Sequence, residues 1–103
     1  MYEVNITYCT KCRWMLRASW MAQELLSTFE DDLRCVSLCP SDHSGIFQIS
    51  INEVCIWDRK IQNGFPDIKQ LKQLVRDHIA PDRSLGHADK KVTSRSDCSV
   101  DGC

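Results

Sequence analysis

Tyr2-Glu3-Val4-Asn5-Ile6-Thr7-Tyr8-Cys9-Thr10-Lys11-Cys12-Arg13-Trp14 decides the fold of this chain. Up to Tyr8 the residues alternate, with Val4, Ile6 and Tyr8 on one side and Glu3, Asn5 and Thr7 on the other, which is the period of a half-buried strand. From Trp14 onward apolar residues recur at helical spacing, through Ala18, Met21, Ala22 and Leu25 to Phe29. Between the two periods stand two cysteines with two residues between them. The first turn of a helix has free backbone N–H groups and the positive end of a dipole. A thiolate placed there is stabilised, its pKa falls, and it becomes a nucleophile near neutral pH. Lys11 and Arg13 add charge of the same helpful sign, and the two intervening residues let the sulfurs close into a small disulfide ring.

The rest of the chain bounds what can surround that motif. With 103 residues there is material for one small core. A net charge of -1 gives no reason to expect nucleic acid or an anionic membrane as partner, and no apolar run approaches the roughly 20 residues of a membrane span. The N-terminus enters a strand at once, without a basic, apolar leader, so a cytoplasmic location is expected. Seven cysteines, at 9, 12, 35, 39, 55, 98 and 103, are an odd number for a disulfide framework, and reduced thiols are the default in that setting.

Working outward, the helix is expected over about 13–29, with Trp14, Met15, Ala18, Met21, Ala22, Leu25, Leu26 and Phe29 as its core stripe. Leu16 and Trp20 fall on its opposite side. A second strand reads from Leu33 to Cys39 and stops at Pro40. A third covers Ile46 to Ile51, and Asn52-Glu53 is a two-residue hairpin turn leading to a fourth strand, Val54 to about Asp58. In that register Ile49 faces Ile56, and Gln48 faces Trp57. Arg59 to Gly64 reads as a charged loop. Phe65-Pro66 opens a last helix carrying Ile68, Leu71, Leu74, Val75 and Ile79, closed by Pro81. The domain is expected over 1–81, with a flexible polar tail over 82–103.

The order β-α-β-β-β-α gives an α/β, thioredoxin-like fold of two layers. A four-stranded mixed sheet carries both helices on the face of Val4, Ile6, Ile49 and Ile56. The other face, with Glu3, Asn5, Thr7, Gln48, Ser50, Cys55 and Trp57, stays largely open. Strand, Cys-x-x-Cys and helix in that order are the setting of a thiol–disulfide redox site.

These residues resemble the selenoprotein W-like family (Rdx; the SelT, SelW and SelH group). The resemblance is carried by the strand ending in Tyr8-Cys9-x-x-Cys12, the helix after it, the Gly45-Ile46-Phe47-Gln48-Ile49 strand and Gly64-Phe65-Pro66, and it covers roughly residues 2–81. The second motif position is often selenocysteine in that family, so this chain resembles a cysteine homologue. The resemblance implies thiol redox work by Cys9 and Cys12, without a cofactor. The expected partners are protein thiols or disulfides, with glutathione or thioredoxin as candidate reductants. Thioredoxin logic makes Cys9 the attacking thiol, whereas the selenocysteine position makes it Cys12.

Other readings compete. Cys9, Cys12, Cys35 and Cys39 form a loose C-x2-C…C-x3-C pattern, so a zinc module using Cys9, Cys12 and Cys39 is an alternative. A non-enzymatic adaptor using the open sheet face, with thiols as a redox-set switch, is another; separately, Leu16 and Trp20, together with Trp57 on the open face, read as a partner surface. Cys39 is expected at the same sheet edge as the motif, as a third thiol or a small core filler. Cys35 and Cys55 read as ordinary strand residues, Cys98 and Cys103 as tail residues, and His43, His78 and His87 as surface histidines.

Overall fold

A computed structural model describes residues 1–80. The expected tail, with Cys98, Cys103 and His87, lies outside them. The described chain divides into two units, Met1–Pro66 and the segment from Asp67 onward.

In the first unit, β1 (Tyr2–Cys9) is followed by α1 (Met15–Thr28), β2 (Leu33–Ser41), β3 (Phe47–Ile51), β4 (Val54–Asp58) and a short α2 (Arg59–Gln62). The four strands make one sheet in the order β2-β1-β3-β4. β1 runs parallel to β2 and antiparallel to β3, and β3 is antiparallel to β4, so the sheet is mixed and the fold is α/β of the thioredoxin-like kind. The alternation read from the sequence is what the sheet uses: Val4, Ile6 and Tyr8 are buried on β1, and Phe47, Ile49 and Ile51 on β3. Each fully buried aliphatic or aromatic side chain of this set contributes about 1.5–3 kcal/mol. Helix α1 packs against β1 and β2, burying Ala18, Met21, Ala22 and Leu25.

The stripe of α1 is narrower than expected. Met15 and Leu26 are exposed, because they flank the Ala18–Met21–Ala22–Leu25 row rather than belong to it. The helix also begins later than expected. Arg13 has φ 60°, a left-handed conformation that ends the motif turn, and Trp14 is the residue before the first helical one.

At the β3–β4 hairpin, Asn52 and Glu53 have φ of 48° and 75°, the two positive values of a type I′ turn. Asn52 also ties the turn to β1: its backbone N–H donates to the Glu3 carbonyl at 2.9 Å, and its Oδ1 accepts from the Glu3 N–H at 2.9 Å.

Beyond the turn the expected register fails. Ser50 pairs with Cys55, but Ile49 pairs with Trp57, leaving Ile56 as the extra residue of a bulge. One inserted residue moves the next side chain to the other face. Trp57 is therefore only 6% exposed, and its Nε1–H donates to the Gly64 carbonyl at 2.9 Å. It belongs to the core and leaves both the open face and the expected partner surface.

Arg59 to Gly64 is not simply a loop. Asp58 caps α2 by accepting from the Lys60 N–H, while the Asp58 N–H donates to Gln62 Oε1, so a helix end too short for periodicity is fixed by reciprocal bonds.

The second unit holds α3 (Ile68–Ile79). Its N-cap is Asp67, which accepts from the Gln70 N–H; Pro66 thus precedes the cap instead of opening the helix. Leu71 and Val75 are its buried residues.

Candidate redox site

Cys9 is the last residue of β1, and Cys12 lies in the turn after it. Three hydrogen bonds shape that turn. The Thr10 N–H and hydroxyl both donate to the Ser41 carbonyl at the end of β2, each at 3.2 Å, and the Arg13 N–H donates to the Thr10 carbonyl at 3.2 Å. The two sulfurs are 2.6 Å apart, the Cys12 thiol donating to Cys9. Both are free cysteines, and their surroundings differ: Cys9 has no exposed surface, while Cys12 is half-buried.

The electrostatics separate the two thiols. Burial pushes the Cys9 thiol up, but the Cys12 thiol and the backbone N–H groups of Gly45, Cys12 and Lys11 favour its thiolate, and the net result lies below the usual thiol range. Cys12 goes the other way. The hydrogen bond it donates to Cys9 holds its proton, and burial and the negative charge on Cys9 act in the same direction. The Gly45 N–H and the Arg59 guanidinium oppose this without reversing it. When the pair loses one proton, the negative charge is favoured on the buried member.

Arg59 is built into the site from several sides. Its Nε donates to the Gly45 carbonyl at 3.1 Å. Its guanidinium carbon lies 5.0 Å from the Trp14 ring centroid and 6.0 Å from that of Phe65. Trp14 and Phe65 meet edge to face at 4.9 Å, and Phe47 joins them at 4.9 Å from Phe65 and 6.2 Å from Trp14. Gly45 takes φ 78°, a left-handed value that favours glycine, and a Cβ there would stand 3.3 Å from Arg59 Nη2. Glycine at this position therefore lets the loop amide face the sulfurs while Arg59 crowds in behind it.

The sequence-derived site is changed in three respects. The donors that stabilise the Cys9 thiolate are loop amides, not a helix terminus, since α1 starts at Met15. The side chain that acts electrostatically on Cys12 is Arg59, whereas those of Lys11 and Arg13 are exposed. Finally, β2 runs through Pro40 to Ser41, so the sheet partner of Cys9 is Ser41, and Cys39 faces Thr7 two residues earlier. Two residues along a strand and one strand across put the Cys9 and Cys39 Cα atoms roughly 8 Å apart, beyond the reach of a disulfide without backbone movement. Among the described residues, no group of three His, Cys, Asp or Glu is placed to hold a metal ion; the zinc alternative names Cys9, Cys12 and Cys39. Cys35 faces Glu3 and Cys55 faces Ser50, both away from the motif. No signal within the motif pointed to Gly45, Arg59 or Phe65.

A strand, a Cys-x-x-Cys turn and a helix on a four-stranded mixed sheet define a thioredoxin-like protein. The Rdx family matches residues 3–77, and the chain belongs to that family. Among solved structures it is similar to a Bordetella parapertussis protein, with 54% identity over 76% of this chain and 98% of that one at a TM-score of 0.73. It is also similar to a selenoprotein W-related protein from Vibrio cholerae, with 48% identity over 75% of this chain and 95% of that one at a TM-score of 0.72. No curated protein matches it.

Proposed function

We propose that the chain is a thiol–disulfide redox protein acting through Cys9 and Cys12 on sulfur-bearing partner proteins in a reducing, cytoplasmic setting. The observation that carries this reading is the close pair itself: two free thiols 2.6 Å apart, with three backbone amides favouring the thiolate of the buried one. Membership of the selenoprotein W-related family supports the same class of chemistry.

Exposure supports an assignment of roles. Cys9 has no accessible surface, so the half-buried Cys12 meets the substrate. As the Cys12 sulfur attacks one sulfur of a partner disulfide, its proton passes to the Cys9 thiolate, and the partner's second sulfur leaves as thiolate. That leaving thiolate takes the proton from Cys9. Cys9 then attacks the Cys12 sulfur and expels the first partner sulfur as thiolate. Two electrons pass from the protein dithiol to the partner disulfide, leaving Cys9–Cys12 oxidised. Arg59 offsets the negative charge that reaches Cys12 during attack. An external dithiol or thiol, for which glutathione and thioredoxin are candidates, closes the cycle.

Trapping tests the assignment. With a peptide disulfide, Cys9→Ser should accumulate a mixed disulfide on Cys12, and Cys12→Ser should accumulate little. The reverse pattern would exchange the roles. If the unaltered protein forms no Cys9–Cys12 disulfide with any oxidised partner, the redox reading fails.

A second reading rests on Leu16 and Trp20. They are 76% and 47% exposed and one turn apart on α1, which supports a binding role for this helix face beside the redox one.

A further inference from the structure

Five cations lie on the elements that carry the cysteine pair and its Gly45 loop. Lys11 and Arg13 flank Cys12 in the turn, with exposed side chains. Arg17, in the first turn of α1, has its guanidinium carbon 4.0 Å from the Phe65 ring centroid. Arg59 lies over Trp14 and bonds the Gly45 carbonyl. Lys60 brings its Cε to 3.5 Å from where a Cβ on Gly45 would stand, and Gly45 is the loop residue whose amide faces both sulfurs. The five come from the motif turn, the start of α1 and α2, which the sheet order brings to one edge.

Acidic residues balance them only in part. Asp58 is the carboxylate on the α2 side; it accepts from Gln48 Nε2 at 2.9 Å and from the Lys60 N–H, and its charge offsets part of that of Lys60. Asp42 follows Ser41, the sheet partner of Cys9. The ion pairs Arg34–Glu3 and Arg76–Asp77 involve none of the five cations. The whole chain has 13 basic and 14 acidic side chains, so the positive edge reflects segregation of charge and not a basic composition.

We infer that this edge selects its sulfur substrates by charge, taking disulfides carried on acidic protein segments with Asp or Glu beside the reacting cysteine. The inference rests on the redox reading above and adds the substrate class to it. Exposed cations beside a reactive group raise the encounter rate with acidic partners and repel basic ones, and salt screens the effect. Arg17 and Arg59, stacked on Phe65 and Trp14, are held in place, so they present their charge without first losing side-chain freedom.

The test is single-turnover oxidation of the fully reduced full chain by three disulfide peptides of equal length, flanked by Glu, Gln or Lys. The protein dithiol supplies both electrons, so no further reductant is needed. Each rate is divided by that of the same peptide with dithiothreitol, which removes the effect of the flanks on intrinsic disulfide reactivity. At about 20 mM salt the Glu-flanked peptide should react at least about tenfold faster than the Lys-flanked one, with the Gln-flanked peptide between them. At about 500 mM salt the three should converge. The double variant Lys11→Glu/Lys60→Glu should reduce or reverse the order while the Gln-flanked peptide is still reduced. Normalised rates within about twofold of one another at low salt, or an order that survives high salt, would overturn the inference and leave the redox reading standing. If even the Gln-flanked peptide leaves Cys9 and Cys12 reduced, both fall.

Discussion

Arg59 donates from Nε to the Gly45 carbonyl at 3.1 Å, and so joins α2 to the loop whose amide faces the Cys9 and Cys12 sulfurs. One side chain thereby acts twice: its charge favours the Cys12 thiolate, and its hydrogen bond holds the Gly45 amide in place. Arg59→Gln removes the charge and weakens the clamp, so the Cys12 pKa should rise further. The single-turnover rate with a neutral peptide disulfide should fall about three- to tenfold at neutral pH, the range of roughly 0.7–1.4 kcal/mol. Arg59→Lys keeps the charge but loses the planar stacking on Trp14, and should fall between the two. Thiolate absorbance against pH, measured on all three proteins, checks the order. Equal titration curves would remove Arg59 from the site.

Cys9 ties stability to pH, and the sign follows from its direction of shift. Its folded pKa is below the ordinary thiol value of 9.0, so its contribution is present above the unfolded pKa and is lost as pH falls through the folded one. Cys12, raised, contributes below its unfolded pKa and loses that contribution as pH rises through its folded value. Below about pH 9 the slope therefore comes from Cys9. The urea midpoint of the reduced protein should rise from pH 6 toward pH 9 relative to Cys9→Ser. A midpoint that falls over that window in the unaltered protein but not in the variant would contradict a depressed Cys9.

Trp57 gives the register its own test. It is a core residue whose indole N–H is taken by the Gly64 carbonyl. Trp57→Ala should cost about 3–5 kcal/mol, and Trp57→Phe, which keeps most of the packing but leaves the Gly64 carbonyl without its donor, about 1 kcal/mol. Urea denaturation with a second, non-tryptophan probe separates these. A near-neutral Trp57→Ala would mean that the side chain lies on the open face and that Ile56 is not the bulged residue.

The contrast between Trp57 and its neighbours explains which parts of the fold were legible in the sequence. Val4, Ile6, Ile49 and Ile51 declare their face by alternation, and Asn52-Glu53 declares the turn by spacing. A bulge adds one residue without changing composition, so Val54 to Asp58 reads equally well in either register until the packing of Trp57 selects one. Helix α2 has four residues, too few to show a period, and only the Asp58 and Gln62 bonds define it. The site divides in the same way. Cys9 and Cys12 are local in sequence and therefore visible. Gly45 and Arg59 reach them, and Phe65 reaches Arg59, only because β3 lies beside β1 and β4 beside β3. Pro40 reads as the stop of β2, yet β2 is an edge strand of the sheet, where proline is tolerated.

That extension of β2 decides what Cys39 does. Had the strand stopped before Pro40, Cys39 would stand level with Cys9. With Ser41 in that place, Cys39 sits opposite Thr7, half-buried, on the face of Glu3, Asn5 and Thr7. The roughly 8 Å implied between the Cys9 and Cys39 Cα atoms exceeds the 4.4–6.8 Å span of ordinary disulfides. The Cys9–Cys12 sulfurs, by contrast, are already in contact. Mild oxidation followed by mass mapping should therefore find Cys9–Cys12 and no Cys9–Cys39 or Cys12–Cys39 linkage. Cys39→Ser should leave the reduction potential of the pair within about 10 mV, less than a factor of three in the exchange equilibrium. A Cys39 linkage at a level comparable to Cys9–Cys12 would show that the end of β2 opens readily, and would make Cys39 a third redox thiol after all.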